Sequence, residues 1–252
     1  MPCILCVPPP RKRATVSLQD KQNIRAAIAE DREIANRNLP SSGILAEKIR
    51  KISAYKEARQ LFVSPAKNLL QVRINVLVDG KELIMPAPGL KDGFFLLKPH
   101  TVPFPRLAFS VVYKGLAQFG RRLQQHDLAA LHVDLFIASA LGVGPEGYFL
   151  DDGKGYFDLA YAIMHSVGGL AAEHRVMVVA ENDLGENSFE PDPWDVQADM
   201  ILTGEEVILT DRSYRSTKQG EIFWDQLALK RLKKITPLWK LHNKLTAGKS
   251  SM

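Results

Sequence analysis

The stretch Val133–Ile163, VDLFIASALGVGPEGYFLDDGKGYFDLAYAI, limits what this chain can fold into more than any other. It opens on an apolar run from Val133 to Ala140 that carries an acid at Asp134, and it closes on an apolar-periodic segment from Tyr156 to Met164. Gly142, Gly144, Gly147, Gly153 and Gly155 lie between them. A near-continuous apolar run is the pattern of a central parallel strand covered on both faces, and the period after the loop is helical. Strand, glycine loop and helix in that order bring backbone N–H groups and the positive end of a helix to one place, where an anion such as phosphate can approach. The loop is neither GxxxxGK[ST] nor GxGxxG, so neither standard nucleotide fingerprint applies. A surface turn that merely needs glycine is the alternative.

The rest of the chain repeats the strand-and-helix alternation. Leu61–Val63, Glu82–Met85, Arg175–Ala180 and Ala198–Thr203 read as strands, with Glu206–Thr210 a small edge strand. Helices are expected from near Ser17, over Ile44–Ile52 and from Ala54 to Arg59, with a mixture of loop and helix over Ala108–Gln125. Leu39-Pro40-Ser41-Ser42-Gly43 breaks the first helix. Alternation of this kind predicts an α/β fold with a mostly parallel sheet. Within the first helix Lys21 and Arg25 are four apart and project from one face, either into solvent or toward an anion lying between them.

Composition adds boundaries. At 252 residues, 46% hydrophobic and 24% charged, the chain suits one large α/β domain, or one domain with a small appendage. The net charge of +5 has its excess partly at the ends, in Arg11, Lys12 and Arg13 and again in Lys230, Arg231, Lys233, Lys234, Lys240, Lys244 and Lys249. A solvated basic face is the default reading of the last group, and a basic arm for nucleic acid is the alternative; no aromatic-interleaved basic motif supports it. Cys3 and Cys6 form one CxxC without a second half, and His132, His165 and His174 lack metal spacing. No Ser-His-Asp or Cys-His arrangement points to hydrolase chemistry. No apolar run reaches the roughly 20 residues of a membrane span, and the start MPCILCVPPPRKR is interrupted by proline where a signal peptide would be apolar. The expected location is cytoplasmic, with no membrane partner.

Several segments, taken in order, resemble the 5-formyltetrahydrofolate cyclo-ligase (methenyltetrahydrofolate synthetase) family, in its divergent domain-containing branch. The family opens with Lys-x-x-(Leu/Ile)-Arg, here Lys21-Gln22-Asn23-Ile24-Arg25. An Arg, a strand, a Gly-Lys turn and a proline-rich segment follow, here Arg73, Val76–Val78, Gly80-Lys81 and Met85-Pro86-Ala87-Pro88, with Gly93-Phe94-Phe95 after. Val133-Asp134 matches the apolar-Asp pair before the family's glycine loop, and Gly153-Lys154-Gly155-Tyr156-Phe157-Asp158-Leu159 matches its end. Ala160-Tyr161-Ala162-Ile163, then Trp194-Asp195-Val196, Asp199 and Thr203, complete the series.

The resemblance implies a three-layer α/β/α fold of the ribose-5-phosphate isomerase and CoA-transferase kind. The match sets a cyclo-ligase-like α/β domain over 18–212; the Pro8-Pro9-Pro10 run marks 1–17 as an irregular tail, and 213–252 reads as a basic helical tail interrupted at Pro237. The resemblance also implies ATP and Mg²⁺ as cofactors, a reduced folate as substrate, and an ATP-dependent ligase reaction that converts 5-formyltetrahydrofolate to 5,10-methenyltetrahydrofolate. Lys21, Arg25, Gly153, Lys154, Gly155 and Tyr156 then become the ATP-binding residues, Lys154 and Tyr156 the candidate catalytic pair, and Asp158 the hard oxygen ligand for the metal.

This chain departs from the family pattern in the loop, where Gly-x-Arg-(Leu/Ile)-Gly-x-Gly-x-Gly is expected and Gly147-Tyr148-Phe149-Leu150-Asp151-Asp152-Gly153-Lys154-Gly155 stands. Phe149 replaces a bidentate phosphate donor, and Asp151 places a carboxylate where glycine is expected. Lys154 compensates, or Asp151 and Asp152 gather Mg²⁺. After the Ala180 strand, Glu181-Asn182-Asp183 departs as well. Two other functions stay open on these departures: a divergent paralogue acting on another small molecule, such as a thiamin-related one, and a non-catalytic binding protein.

Overall fold

The computed structural model describes residues 21–23, 25, 26, 42–180, 190–203 and 206–249. The head over 1–17 with Cys3 and Cys6, the break at 39–41, Ile24 of the first motif and Glu181-Asn182-Asp183 lie outside the described residues. Residues 21–23, 25 and 26 are helical. Helices α1 (Ser42–Lys51) and α2 (Ser53–Glu57) then lead into strand β1 (Gln60–Val63). Helix α3 (Leu70–Val78) crosses to β2 (Glu82–Pro86), and β3 (Phe94–Leu97) follows through a proline turn. Short helices α4 (Leu107–Ser110) and α5 (Tyr113–Phe119), strand β4 (Arg121–Arg122) and α6 (Gln125–Ala129) come before the long strand β5 (Val133–Ala140). A small hairpin of β6 (Gly142–Val143) and β7 (Phe149–Leu150) precedes helix α7 (Tyr156–Ser166) and strand β8 (Leu170–Ala180). The chain continues through β9 (Met200–Leu202) and β10 (Val207–Leu209) to α8 (Leu229–Lys234) and α9 (Thr236–Lys249).

The main sheet has eight strands in the order β10-β9-β8-β5-β1-β2-β3-β4. Strands β9, β8, β5, β1 and β2 run parallel, and β3, β4 and β10 are antiparallel additions at the two ends. The strand predicted over Val133–Ala140 is central, paired in parallel with β1 on one side and β8 on the other. Side chains alternate across the sheet, as period 2 requires. Leu61, Val63, Leu135 and Ile137 face one layer with α1, α2 and α3. Phe62, Phe136 and Ala138 face the other with α6, α7, α8 and α9. The fold is therefore a three-layer α/β/α arrangement around a mostly parallel sheet. The ring of Phe136 lies 5.2 Å from that of Phe62, 6.3 Å from Phe157 and 5.3 Å from Tyr161, pinning α7 to the sheet. Each such buried aromatic contributes up to about 3 kcal/mol through area removed from water.

Val76–Val78, expected as a strand, is instead the last turn of α3. Val76 and Val78 are β-branched, but Val72 and Val76 and also Arg73 and Leu77 recur at helical spacing and are buried, so packing overrides strand propensity. The basic C-terminal segment also packs: Leu232, Ile235 and Leu238 belong to the core. Pro237 stands in the first turn of α9, where its missing N–H costs nothing, and the break falls at Ile235. Asp199 ties the preceding stretch to the sheet. Its carboxylate accepts from Val176 N at 2.7 Å, Arg212 Nε at 2.7 Å and Arg215 Nη2 at 2.6 Å. Among the described residues no helix is long and apolar enough to cross a membrane.

Candidate functional site

Strand β1 is followed by α3 on one face of the sheet and strand β5 by α7 on the other, while β2 and β8 lie on opposite outer sides of the β1–β5 pair. The chain thus diverges at the carboxyl ends of β1 and β5, and a crevice opens at such a switch point in open α/β sheets. A cleft of about 740 Å³ occupies it, within the range of small-molecule sites. Ser64, Ala66, Lys67 and Asn68 form one wall, Ala138–Leu141 the floor, and Phe149, Asp151, Asp152 and Phe157 the other wall. Asn68 Nδ2 donates to Ser139 Oγ across the floor at 2.8 Å.

The wall after β1 is held by Arg73. Its guanidinium donates to the carbonyls of Ser64 and Ala66 at 2.8 Å each and to that of Val111 at 3.1 Å, and among the described residues no carboxylate bonds to it. Burial lowers its pKa to about 10, so it stays charged at neutral pH. At the opposite end of β5, Asp134 accepts the N–H groups of Arg59 and Gln60 at 2.8 and 2.9 Å, a backbone cap that fastens the start of β1. His174 is structural too, bonded to Tyr161 Oη and the carbonyl of Ala171.

The glycine loop turns into α7 through two left-handed residues, Gly153 at φ 79° and Gly155 at φ 59°. Gly153 has a second reason to lack a side chain: a Cβ there would sit 3.3 Å from Arg25 Nε. The first helix meets this loop through Arg25, while Lys21 turns to carboxylates outside it. Arg25 Nε donates to the carbonyl of Asp151 at 3.1 Å, and its Nη2 lies 3.9 Å from Asp151 Oδ1. Buried Lys21 donates to Asp192 Oδ2 and Asp195 Oδ2, both at 2.8 Å. The Gly153 N–H donates to Asp151 Oδ1 at 2.8 Å, and the Lys154 N–H to Asp152 Oδ1 at 3.1 Å. The Lys154 ammonium, mostly exposed, turns onto Asp152 as well.

Tyr156 begins α7 with its hydroxyl packed on Gly89 and the Arg231 guanidinium 5.4 Å from its ring centre. Arg231 also donates to the carbonyl of Lys154. Lys154 and Tyr156 are not among the residues that wall the large cleft. Gly155 and Asp158 line a separate cavity of about 130 Å³, with Trp194, Phe223 and Arg231. Asp158 Oδ1 accepts from Val196 N at 3.0 Å. Enclosure raises the Asp158 carboxyl to about 7, reinforced by the negative charges of Asp195 and Asp151. Burial also pushes Asp151 and Asp195 upward, offset in Asp151 by the Gly153 N–H and in Asp195 by Lys21. Among the described residues no group of three or more His, Cys, Asp or Glu is set to hold a metal ion.

These donors have the right chemistry for a polyphosphate, but oxygens of the chain already hold them: carboxylates for Lys21 and the two loop N–H groups, and the Asp151 carbonyl for Arg25. Lys21, Arg25 and the two loop N–H groups do not fit an ATP phosphate chain as arranged. Of the partners, Asp192 was not singled out in the sequence, and Asp195 stood in its Trp194-Asp195-Val196 motif without a role. Asp192 and Asp195, three apart in DPWD, carried a local signal as paired acids; Arg231 reaches the loop from 77 residues away and carried none.

A sequence profile of the 5-formyltetrahydrofolate cyclo-ligase family matches residues 17–204. The methenyltetrahydrofolate synthase domain-containing protein of Homo sapiens is 28% identical over 211 residues, which cover 81% of this chain and 53% of that protein. Its namesake in Danio rerio is 28% identical over 200 residues, covering 77% and 51%. The chain spans about half the length of the curated relatives it matches. Among solved structures, 5,10-methenyltetrahydrofolate synthetase from Aquifex aeolicus aligns with a TM-score of 0.48 at 20% identity, over 75% of this chain and 92% of that one. The enzyme from Mycoplasma pneumoniae aligns with a TM-score of 0.46 at 17% identity, over 74% and 99%.

Proposed function

Since the chain belongs to the 5-formyltetrahydrofolate cyclo-ligase family, we propose that it binds a reduced folate in the switch-point cleft between β1 and β5. The observation that carries this reading is the cleft: about 740 Å³, with Phe149 and Phe157 on one wall, the polar Ser64 and Asn68 opposite and Ser139 on the floor. An aromatic wall suits a flat heterocycle, and a few placed polar groups fix its orientation.

Family membership supports the further step, ATP- and Mg²⁺-dependent conversion of 5-formyltetrahydrofolate to 5,10-methenyltetrahydrofolate. In that reading Lys21, Arg25, Gly153, Lys154, Gly155 and Tyr156 serve the nucleotide, Lys154 and Tyr156 the chemistry, and Asp158 the metal. The carboxylates on the donors argue for slow turnover. A different small molecule is the second reading. It is favoured by Asp151 and Asp152 on the cleft wall, which present acceptors to a ligand rich in N–H donors or positive charge, such as a thiamin-related one.

Equilibrium titration with 5-formyltetrahydrofolate, followed by addition of Mg·ATP and measurement of methenyltetrahydrofolate absorbance, tests both steps. Saturable folate binding with little absorbance change is expected. Absence of folate binding rejects the folate reading and moves weight to the second.

A further inference from the structure

We propose that Asp151 and Asp152 are built-in occupants of the anion cradle at the start of α7, so that this chain, as it stands, binds a polyphosphate there only weakly, by displacing them. The inference rests on the reading that this cleft is the family's small-molecule site, and it names what distinguishes this chain's version of it. Asp151 supplies an oxygen to the Gly153 N–H at 2.8 Å, and its Oδ1 stands 3.9 Å from Arg25 Nη2. Asp152 supplies one oxygen to the Lys154 N–H at 3.1 Å and the other to the Lys154 ammonium. A carboxylate presents two oxygens and a negative charge, which is also what a phosphate would present to the same donors.

The competition is intramolecular. Each carboxylate lies two residues from the N–H it occupies, so its effective concentration far exceeds that of a dissolved ligand. A phosphate entering the loop must displace both acids and then sit beside their charge. Phe149, on the strand leading into the loop, packs against Phe157 with ring centres 5.6 Å apart and supplies no donor in exchange. Lys21 does not relieve the deficit, because Asp192 and Asp195 hold it at 2.8 Å. The two acids thus convert a loop with phosphate-binding geometry into one satisfied by its own side chains.

Magnesium-free inorganic pyrophosphate is the probe, since it needs neither folate nor turnover. Calorimetric titration of the full chain is compared with Asp151→Asn/Asp152→Asn, which keeps an acceptor oxygen for each N–H while removing the charge, and with Asp151→Gly/Asp152→Gly, which removes the acceptor too. The wild-type chain is expected to show no saturation at millimolar pyrophosphate, the Asn pair at least about tenfold tighter binding, and the Gly pair tighter binding again. Equal affinity in all three overturns the proposal, and so does absence of binding in all three, since no cradle then lies beneath the acids. If a double variant does not fold, Asp152→Asn alone, at an exposed loop position, tests the Lys154 side in the same way. A gain in pyrophosphate affinity upholds the inference even if 5-formyltetrahydrofolate fails to bind, so the two readings fail separately.

Discussion

The backbone N–H of Gly153 donates to the carboxylate of Asp151, two residues earlier, at 2.8 Å. This one bond closes the glycine loop on itself. It brings a negative charge to the place where the family resemblance calls for a glycine and an approaching phosphate.

The first prediction follows from that bond and from Phe149. Changing Phe149→Arg together with Asp151→Gly restores a forked donor and removes the acid. One well-placed donor in such a site is worth roughly a hundred- to a thousandfold in rate. ATP-dependent formation of methenyltetrahydrofolate, followed by absorbance, should therefore rise by at least about tenfold. The melting temperature should fall, because the edge-to-face contact of Phe149 with Phe157, worth about 0.5–1.5 kcal/mol, is lost. Slower turnover in the variant than in the wild type would show that the phosphate site is built differently.

The second concerns pH. The Asp158 carboxyl is raised to about 7 in the folded chain from 3.8, so between those values the folded state holds a proton that the unfolded state has lost. Its contribution to stability falls as pH rises through that window and is most unfavourable above pH 7. The shift corresponds to a limit on the order of 4 kcal/mol. Asp158→Asn keeps an oxygen for the Val196 N–H and removes the charge. Urea melts of the two proteins should coincide near pH 4 and separate in favour of the Asp158→Asn variant by pH 8; a gap that does not depend on pH would contradict the assignment.

Arg73 carries the third. Arg73→Met removes the guanidinium donor from three carbonyls, of which that of Ala66 keeps the Leu69 N–H, at a cost of about 2 kcal/mol or more. Urea unfolding should register that loss. Because Ser64 and Ala66 wall the cleft, ligand affinity should weaken as well. A variant as stable as the wild type would mean that water replaces the guanidinium.

The fourth addresses the C-terminal segment. Leu238 is fully buried, and Trp239 and Leu241 pack on the same core. Leu238→Ala should cost about 2–5 kcal/mol, and deletion after Pro237 should destabilise the chain by at least as much. A truncated protein that melts at the wild-type temperature would restore the view of this segment as a solvated tail.

Much of the architecture could be read from the chain alone, because its signals are local. The apolar run Val133–Ala140 announced a central parallel strand, the glycines at 153 and 155 a tight turn, and the period after Tyr156 a helix. Each depends only on side-chain type and spacing along a short stretch. Lys21 and Arg25 were also legible as cations on one helix face, and only the family resemblance set them beside the loop. What occupies those cations was not legible. The Lys21 bond to Asp195 spans 174 residues, and that of Arg231 to Lys154 spans 77. Pairing over such separations depends on which strand ends the sheet brings together, and no local pattern encodes it. The same holds for Val76–Val78, which have the residue types of a strand but become helix because the sheet beneath them buries one helical stripe. Sequence determined the donors and, two residues before each loop N–H, the acids that accept from them; the tertiary structure decided that Asp192 and Asp195 would meet Lys21, because only the folded sheet brings segments so far apart in the chain together.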